Sequence, residues 1–142
     1  MIGELSSIAV RPLQQIVDAR GELNICTFRD MVPFNVVRIF YVRDVPPGTA
    51  RGQHGHRRCS QFLICQQGRV AVEVSDGHQS LSLVLSPGQG LLIEPGILAT
   101  ETYLEPGTVL LVLCDRVYEA DDYIHDVAEL AAFRGALAGA AQ

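Results

Sequence analysis

The stretch RVAVEVSDGHQSLSLVL, residues 69–85, decides the fold class. Valine stands at positions 70, 72 and 74, and leucine stands at positions 81, 83 and 85. Side chains in a strand alternate between two faces, so each half predicts a strand with one apolar face. Asp76-Gly77 between the halves is a typical turn pair. The stretch therefore predicts a β-hairpin.

Short apolar segments separated by turn residues continue through the chain. The residues between them predict a turn at 18–21. The apolar segments predict strands at residues 23–28, 35–43, 61–66 and 91–93. Two further segments, 98–104 and 108–115, predict a second hairpin with its turn at residues 105–107. Many short strands at such spacing indicate an all-β barrel or sandwich. We expect one domain over residues 1–142, with its core at about 14–133.

Only the C-terminal region has a helical period. Val127, Leu130 and Phe133 lie about three residues apart, which predicts a short amphipathic helix within residues 122–133 that docks on the barrel. The tail 135–142 is rich in alanine and glycine, and we expect it to be flexible.

The charge of the chain excludes several functions. The formal net charge is −5 and the pI is about 5.2, which argues against binding to nucleic acid or to an anionic membrane. All eleven basic residues are arginines, so Schiff-base lysine chemistry is excluded and anions would be bound by guanidinium groups.

The cysteines favour a reducing compartment. The four cysteines have no C-x-x-C spacing, and three lie within apolar segments, as buried structural cysteines do. No apolar segment has the length of a signal peptide core or a membrane span. We therefore expect a cytoplasmic protein.

Chemistry concentrates in residues 50–58, ARGQHGHRR. Read as a strand, this segment places His54 and His56 on the same face with only Gly55 between them. Imidazole carries protons near neutral pH and is also a common metal ligand, so the pair suits either role.

Two motifs in the chain resemble those of the cupin superfamily. They are His54-x-His56-x4-Gln61-x6-Gly68 and Pro87-Gly88-x5-Glu94-Pro95-Gly96. Metal-binding cupins have a glutamate where this chain has Ser60 or Gln61, and a third histidine where it has Ala99. Two neutral histidines without a carboxylate are a poor ligand set, so we expect no bound metal and no other cofactor.

A closer resemblance covers about residues 14–133. The matching segments are Asp18-x-Arg20-Gly21-x-Leu23, Arg38-Ile39-Phe40-Tyr41, Arg51-Gly52-x-His54-x-His56, Glu94-Pro95-Gly96 and Tyr118-Glu119-x-x-Asp122-Tyr123-Ile124. They resemble the nucleotide-sugar 3,4-ketoisomerases, metal-independent cupins that act on dTDP-4-keto-6-deoxyglucose. The resemblance implies a jelly-roll barrel, a homodimer, and a dTDP-linked keto-deoxysugar bound in the barrel mouth.

The resemblance also implies roles for individual residues. His56 would be the principal proton shuttle, and His54 would be its partner. Tyr41 would be a hydroxyl donor at the same mouth, and we expect Arg51 and Gln61 to contact the substrate. Arg20 and Arg38 would hold the diphosphate, although a salt bridge to Asp18 or Glu22 is the alternative for either arginine. Tyr118 and Tyr123 are expected to anchor the C-terminal segment.

Two departures from the family leave alternatives open. Leu98 and Ala99 stand where the family has tryptophan and histidine, and Phe40 replaces the first aromatic residue of a tyrosine pair. The alternatives are a catalytically silent cupin that binds a nucleotide sugar and a metal-dependent cupin oxygenase with atypical ligands.

Overall fold

The alternating apolar segments form twelve strands and one α-helix in the computed structural model, which describes residues 2–140. The elements are β1 (Arg11–Pro12), β2 (Gln14–Asp18), β3 (Gly21–Ile25), β4 (Arg38–Val42), β5 (Thr49–His56), β6 (Gln61–Gln67), β7 (Val70–Ser75), β8 (Ser80–Leu85), β9 (Gln89–Ile93), β10 (Leu98–Tyr103), β11 (Val109–Cys114), β12 (Tyr123–Ile124) and α1 (Val127–Ala140). Short 3-10 turns occupy Leu5–Ser7 and Ala120–Asp122.

Two five-stranded sheets make the barrel. One has the order β1-β9-β6-β11-β4 and the other the order β12-β5-β10-β7-β8. Buried side chains from both sheets form one hydrophobic core, in which Leu63 of the first sheet and Val72 of the second are at most 1% exposed. Burial of such side chains contributes about 1.5–3 kcal/mol each. This is the predicted cupin-like jelly roll.

The hairpin predicted from residues 69–85 is confirmed. β7 pairs with β8 from Val70 opposite Leu85 to Ser75 opposite Ser80. The three valines of β7 are fully buried. The Asp76 carboxylate accepts hydrogen bonds from the backbone N–H groups of His78 and Gln79, which stabilises the turn.

The second predicted hairpin is wrong. β10 pairs with β5 and β7, whereas β11 pairs with β4 and β6, so the two strands belong to different sheets. Residues 105–107 carry the chain from one sheet to the other. A turn between sheets uses the same proline and glycine residues as a hairpin turn, so sequence alone does not separate the two.

The C-terminal helix has other bounds than predicted. α1 begins at Val127, because residues 120–124 form a 3-10 turn and β12 instead. It continues through Ala140, beyond the expected end near Phe133, since alanine and leucine favour a helix. Residues 141–142 of the predicted flexible tail lie outside the described residues. At 14 residues α1 is too short to cross a membrane, and no other helix within residues 2–140 could do so.

The docked face of α1 is narrower than predicted. Leu130 is fully buried, whereas Val127 is exposed. Arg134 fixes the helix by donating hydrogen bonds to the backbone carbonyls of Gly3 and Gly96, at 2.8 and 2.9 Å.

Gly55 lets β5 approach the turn before β10. A Cβ atom at this position would lie 2.5 Å from the Ile97 carbonyl oxygen, which is too close for any side chain. The backbone of the strand therefore packs directly against residues 97 and 98.

Gly55→Ala should destabilise the barrel, because either β5 or the segment at Ile97 must move. Such overpacking costs about 1–3 kcal/mol of unfolding free energy, measurable by urea denaturation. Gly135→Ala is the matched control. Its Cβ meets nothing within 4 Å, and replacing a helical glycine by alanine should stabilise by about 0.5–1 kcal/mol. Equal stability of the two variants would contradict this account.

Candidate active site

The site is built around the two imidazoles at the end of β5. The ring centroids of His54 and His56 are 5.3 Å apart and the rings are nearly perpendicular. The two-residue spacing on a strand thus brings the rings together, as the sequence predicts. His56 is buried, and its Nε2 atom has no hydrogen-bond partner among the described residues. Within residues 2–140 this nitrogen is unpaired and buried, and His56 does not line the inner chamber or the outer groove described below.

Tyr123 covers both imidazoles. Its ring centroid lies 4.8 Å from that of His54 and 4.6 Å from that of His56. β12 pairs antiparallel with β5, with Tyr123 directly opposite His56. Tyr123 anchors the C-terminal segment through this pairing, as the sequence predicts. Its contact with the histidines was not foreseen, because the sequence does not reveal where a two-residue strand docks.

Asp122 fixes the position of Tyr123. Its buried carboxylate accepts hydrogen bonds from the backbone N–H groups of Arg58 at 2.7 Å and Cys59 at 3.2 Å. The backbone N–H of Arg57 donates to the Asp122 carbonyl at 2.8 Å. These bonds join the turn after β5 to the segment that carries Tyr123.

Both imidazoles are neutral at pH 7. Burial, His54 and Arg38 lower the pKa of His56 to about 4, although Asp122 partly opposes the shift. Burial also lowers the pKa of His54. A hydrogen bond to the Gly52 backbone opposes this shift but is the smaller effect. A neutral imidazole has one free lone pair, so either ring can accept a proton.

Arg38 lies beside the imidazole pair. Its guanidinium carbon is 5.6 Å from the centroid of the Phe40 ring, and its charge contributes to the lowered pKa of His56. The Arg38 Nε atom is buried without a hydrogen-bond partner among residues 2–140. It makes no salt bridge with Asp18 or Glu22. An anionic ligand next to the histidines could accept this N–H.

Below His54 a small inner chamber opens within the barrel. Its volume is about 90 Å³. Phe40, Val42, Leu110 and Val112 form its apolar wall, and its polar lining is Arg51, His54, Gln61, Glu101 and Tyr103. Gln61 is buried and donates from Nε2 to the Cys114 sulfur at 3.5 Å. The chamber thus combines an apolar wall with several hydrogen-bonding groups.

A wider outer groove adjoins the chamber. It measures about 590 Å³ and includes Tyr41, Arg43, Asp44, Pro46 and Thr49 in its lining. Arg51 and Val42 line both spaces, so these two residues lie where the chamber and the groove meet. Tyr41 faces this groove with 61% of its surface exposed and does not line the chamber.

Arg20 lies away from the other predicted site residues. It is in the turn between β2 and β3 and pairs with the Asp18 carboxylate at 2.7 Å. Its side chain is 90% exposed and lines neither the chamber nor the groove. Arg20 thus makes the salt bridge to Asp18 that the sequence allows.

Glu101 is a site residue that sequence reasoning missed. In β10 it shares the inward face with Ala99 and Tyr103, and it lines the inner chamber. Burial raises the pKa of its carboxyl to about 7. A hydrogen bond from its own backbone N–H and the charge of Arg51 both act to lower this pKa. The signal was available, because Glu101 interrupts the neutral face of a predicted strand.

The described residues do not form a metal centre of the usual kind. Within residues 2–140, no three side chains of histidine, cysteine, aspartate or glutamate are grouped closely enough to hold a metal ion.

The chain is similar to nucleotide-sugar isomerases over most of its length. Residues 6–135 match the family model described as FdtA: WxcM-like, C-terminal. A TDP-4-oxo-6-deoxy-alpha-D-glucose-3,4-oxoisomerase from Aneurinibacillus thermoaerophilus is 30% identical over 112 residues, which is 78% of this chain and 81% of that protein.

Solved structures of 3,4-ketoisomerases agree with this. The enzyme QdtA from Thermoanaerobacterium thermosaccharolyticum, as a mutant in complex with TDP-4-keto-6-deoxyglucose, superposes with a TM-score of 0.85 at 27% identity, covering 93% of this chain and 97% of that chain. A 3,4-ketoisomerase from Helicobacter canadensis gives a TM-score of 0.83 at 28% identity, over 90% of this chain and 98% of that chain.

The buried His56 should make stability depend on pH. Its pKa is about 4 when folded against an ordinary value of 6.5, so between these values the unfolded chain binds a proton that the folded chain does not. Its contribution to unfolding free energy should therefore fall by about 2 kcal/mol from pH 7 to pH 4.5. Urea denaturation at both pH values measures the loss.

His56→Gln should show a smaller decrease in stability between the two pH values than the wild type. His78→Gln, at an exposed histidine of the β7–β8 turn, should keep the wild-type decrease. If all three proteins lose the same stability, His56 is not held neutral by the fold.

Proposed function

The chain belongs to the family FdtA: WxcM-like, C-terminal, and we propose that it is a TDP-sugar 3,4-ketoisomerase that moves protons with the His54 and His56 pair. The observation that carries the proposal is the neutral, buried imidazole of His56, whose Nε2 has no hydrogen-bond partner within residues 2–140. The substrate class is a TDP-linked 4-keto-6-deoxyhexose, as in the similar isomerases.

The reaction needs a base that also returns a proton. Moving a carbonyl from C4 to C3 requires removal of the proton on C3, passage through an enediol, and protonation of C4 on the way to the product. One positioned imidazole can perform both transfers. We assign this role to His56.

The charges around His56 suit both halves of the cycle. The neutral ring accepts the C3 proton. The imidazolium that forms is then stabilised by the Asp122 carboxylate, which favours the charged form of His56, and by the negative charge developing on the substrate. Reprotonation at C4 restores the neutral ring.

Tyr123 and His54 position the substrate in this proposal. Burial raises the pKa of Tyr123, so its phenol stays protonated at neutral pH and can donate a hydrogen bond to a sugar oxygen. His54 borders the inner chamber and is neutral, so its ring can both donate and accept. Gln61 would add a further hydrogen bond from the chamber lining.

The outer groove suits the nucleotide diphosphate. Arg51 at its inner end and Arg43 in its lining can bind phosphate oxygens, for which guanidinium groups are well matched. Arg38, with its unpartnered buried Nε, would bind an anionic oxygen next to the histidines. Tyr41 would contribute a hydroxyl in the groove.

We propose that catalysis is independent of a metal ion. Support comes from the donor set, because two histidines with Gln61 and Ala99 at the remaining cupin positions offer too few ligands for iron, manganese or zinc. A cytoplasmic location stays a prediction that rests on the cysteine pattern of the sequence.

A homodimer is proposed from two exposed apolar surfaces. The β2–β3 hairpin exposes Ile16, Val17 and Leu23. Among the described residues β4 is an edge strand of its sheet, and it exposes Ile39 and Tyr41. An isolated two-stranded hairpin is marginally stable, and an open apolar strand edge invites pairing with a second chain. We propose that the hairpin of one copy packs along β4 of the other.

This dimer would give Arg20 a role. The hairpin of one copy would lie beside the outer groove of the other, because β4 leads directly into the groove at residues 41–46. Arg20 at the hairpin turn would then be available to the diphosphate.

The isomerase proposal is tested by isotope exchange. Incubation with TDP-4-keto-6-deoxyglucose in deuterated buffer should introduce deuterium at C3 and C4 and yield the 3-keto sugar, followed by NMR. His56→Gln should slow both deuterium incorporation and formation of the 3-keto sugar by about 10²–10⁴-fold, which is the usual contribution of a general base. His78→Gln, at an exposed histidine of the β7–β8 turn, is the matched control and should retain wild-type rates.

Chelator-treated protein should also retain its full rate if the reaction is metal-independent. Tight binding of the TDP-sugar without exchange or conversion would instead favour the catalytically silent cupin. Activity that disappears on chelation and returns with one metal would favour a metal-dependent enzyme.

The dimer is tested by charge at the apolar hairpin. Leu23→Glu should give a monomer in sedimentation or light-scattering measurements, since it places a carboxylate in the proposed interface. Val84→Glu, at an exposed valine on β8 of the other sheet, should remain dimeric. A wild-type protein that sediments as a monomer at micromolar concentration would refute the proposed dimer.

A further inference from the structure

One titratable group in the barrel has no part in the proton transfer at carbon. Glu101 lines the inner chamber together with His54 and Arg51. In the pairing of β10 with β5, Glu101 lies opposite Arg51 and Ala99 lies opposite His54. The carboxyl therefore shares the chamber with His54 but belongs to the neighbouring strand.

The backbone of β5 is shaped around this carboxyl. The register between β5 and β10 shifts between Ala99 and Glu101, and Gly52 there has a φ of +92°. A Cβ atom on Gly52 would lie 1.8 Å from Oε2 of Glu101, so the carboxyl occupies the space that a side chain at residue 52 would need. Glycine and the bulge are both required to place a carboxyl at this depth.

The surroundings of Glu101 keep it ready to exchange a proton. β5 contributes Arg51 and His54, β10 itself contributes Tyr103, and β6 contributes the uncharged Gln61. The lining residues from β4 and β11 are apolar. Arg51 makes no salt bridge within 4 Å among the described residues, so the carboxyl is not locked in an ion pair.

The protonation states follow from these contacts. Burial raises the pKa of Glu101 to about 7, with its own backbone N–H and Arg51 opposing the shift. Burial also raises the pKa of Tyr103 to about 12, so that phenol stays protonated. At neutral pH Glu101 therefore exists in both its protonated and its ionised form, so it can give a proton and take one back.

The isomerisation needs a group that exchanges protons with the sugar oxygens O3 and O4. As the base removes the C3 proton, the C3–H electron pair forms the C3–C4 double bond, and the O4 carbonyl becomes an enolate that takes a proton. In the second half, the O3 hydroxyl loses its proton and becomes the carbonyl, while C4 takes the proton held by the base. C4 is reduced and C3 is oxidised, so no external oxidant or reductant is needed.

We propose that Glu101 is the catalytic acid–base group for the sugar oxygens, giving its proton to O4 and then accepting the proton of the O3 hydroxyl. The carboxyl ends the cycle protonated, as it began. This inference rests on the proposed isomerase function and divides the work between His56 at carbon and Glu101 at oxygen.

Glu101→Gln tests the proposal with TDP-4-keto-6-deoxyglucose in deuterated buffer. The amide can still donate a hydrogen bond to O4 but cannot accept the O3 proton. Deuterium exchange at C3 of the recovered 4-keto sugar should stay within about tenfold of wild type, whereas formation of the 3-keto sugar should fall by about 100-fold or more. Both rates come from the same NMR time course.

Two further measurements separate chemistry from structure. For wild type, kcat/KM should fall as the pH rises through about 7, because the protonated carboxyl is the donor, and this decrease should be absent in Glu101→Gln. Glu101→Asp keeps a carboxyl and should form the 3-keto sugar at least tenfold faster than Glu101→Gln. Glu105→Gln, at a carboxylate paired with Arg69 outside the chamber, is the matched control and should behave as wild type.

The proposal is overturned if Glu101→Gln forms the 3-keto sugar within tenfold of wild type, or if exchange and conversion are lost in parallel. If Glu101→Gln does not fold by circular dichroism, a wild-type kcat/KM that is flat from pH 6 to 9 overturns it instead. Failure of the isomerase proposal looks different, because the wild-type protein itself would then neither exchange deuterium nor form product.

Discussion

The site depends on one buried carboxylate. Asp122 accepts two backbone N–H bonds from the segment after β5, at Arg58 and Cys59, and so ties the C-terminal segment to the strand that carries the histidines. Hydrogen bonds to a carboxylate are stronger than those between neutral groups, at about 1.5–3 kcal/mol each. Without this attachment the two-residue strand β12 would have little to hold it. Tyr123 would then no longer cover the imidazoles, and their burial and lowered pKa would be lost.

Arginine reinforces the same attachment from outside. Arg57 donates to the Tyr123 carbonyl and pairs with Glu129 of α1 at 2.7 Å, while Arg58 pairs with Asp121 at 3.0 Å. The adjacent arginines therefore hold the C-terminal segment and line neither the chamber nor the groove. This placement explains why so basic a stretch as residues 50–58 does not produce a uniformly basic pocket.

Local patterns predicted strands in the regions of β3 to β11 but not β1, β2 or β12, and they were insufficient to predict which strands pair. The hairpin at residues 69–85 and the pairing of two imidazoles follow from the two-residue period alone. The turn at residues 105–107 was misread, because whether its strands pair depends on the distant strands β5 and β6. The contact of Tyr123 with His56 spans 67 positions and likewise depends on tertiary packing. The inward orientation of Glu101 follows from the two-residue period of its strand. Its raised pKa does not, because it depends on burial in the enclosed chamber.

The same two-residue period bears on the histidine that the resemblance places at the position of Ala99. Ala99 occupies that position by resemblance and faces inward opposite His54. Glu101 lies two residues further on the same face, about 7 Å along the strand, and also borders the chamber. This face of β10 therefore still carries a titratable group, but at residue 101 instead of residue 99. The small side chain of Ala99 leaves room beside His54. In the proposed mechanism, loss of an imidazole at residue 99 is compatible with a working isomerase, because Glu101 would carry the proton transfer at the sugar oxygens.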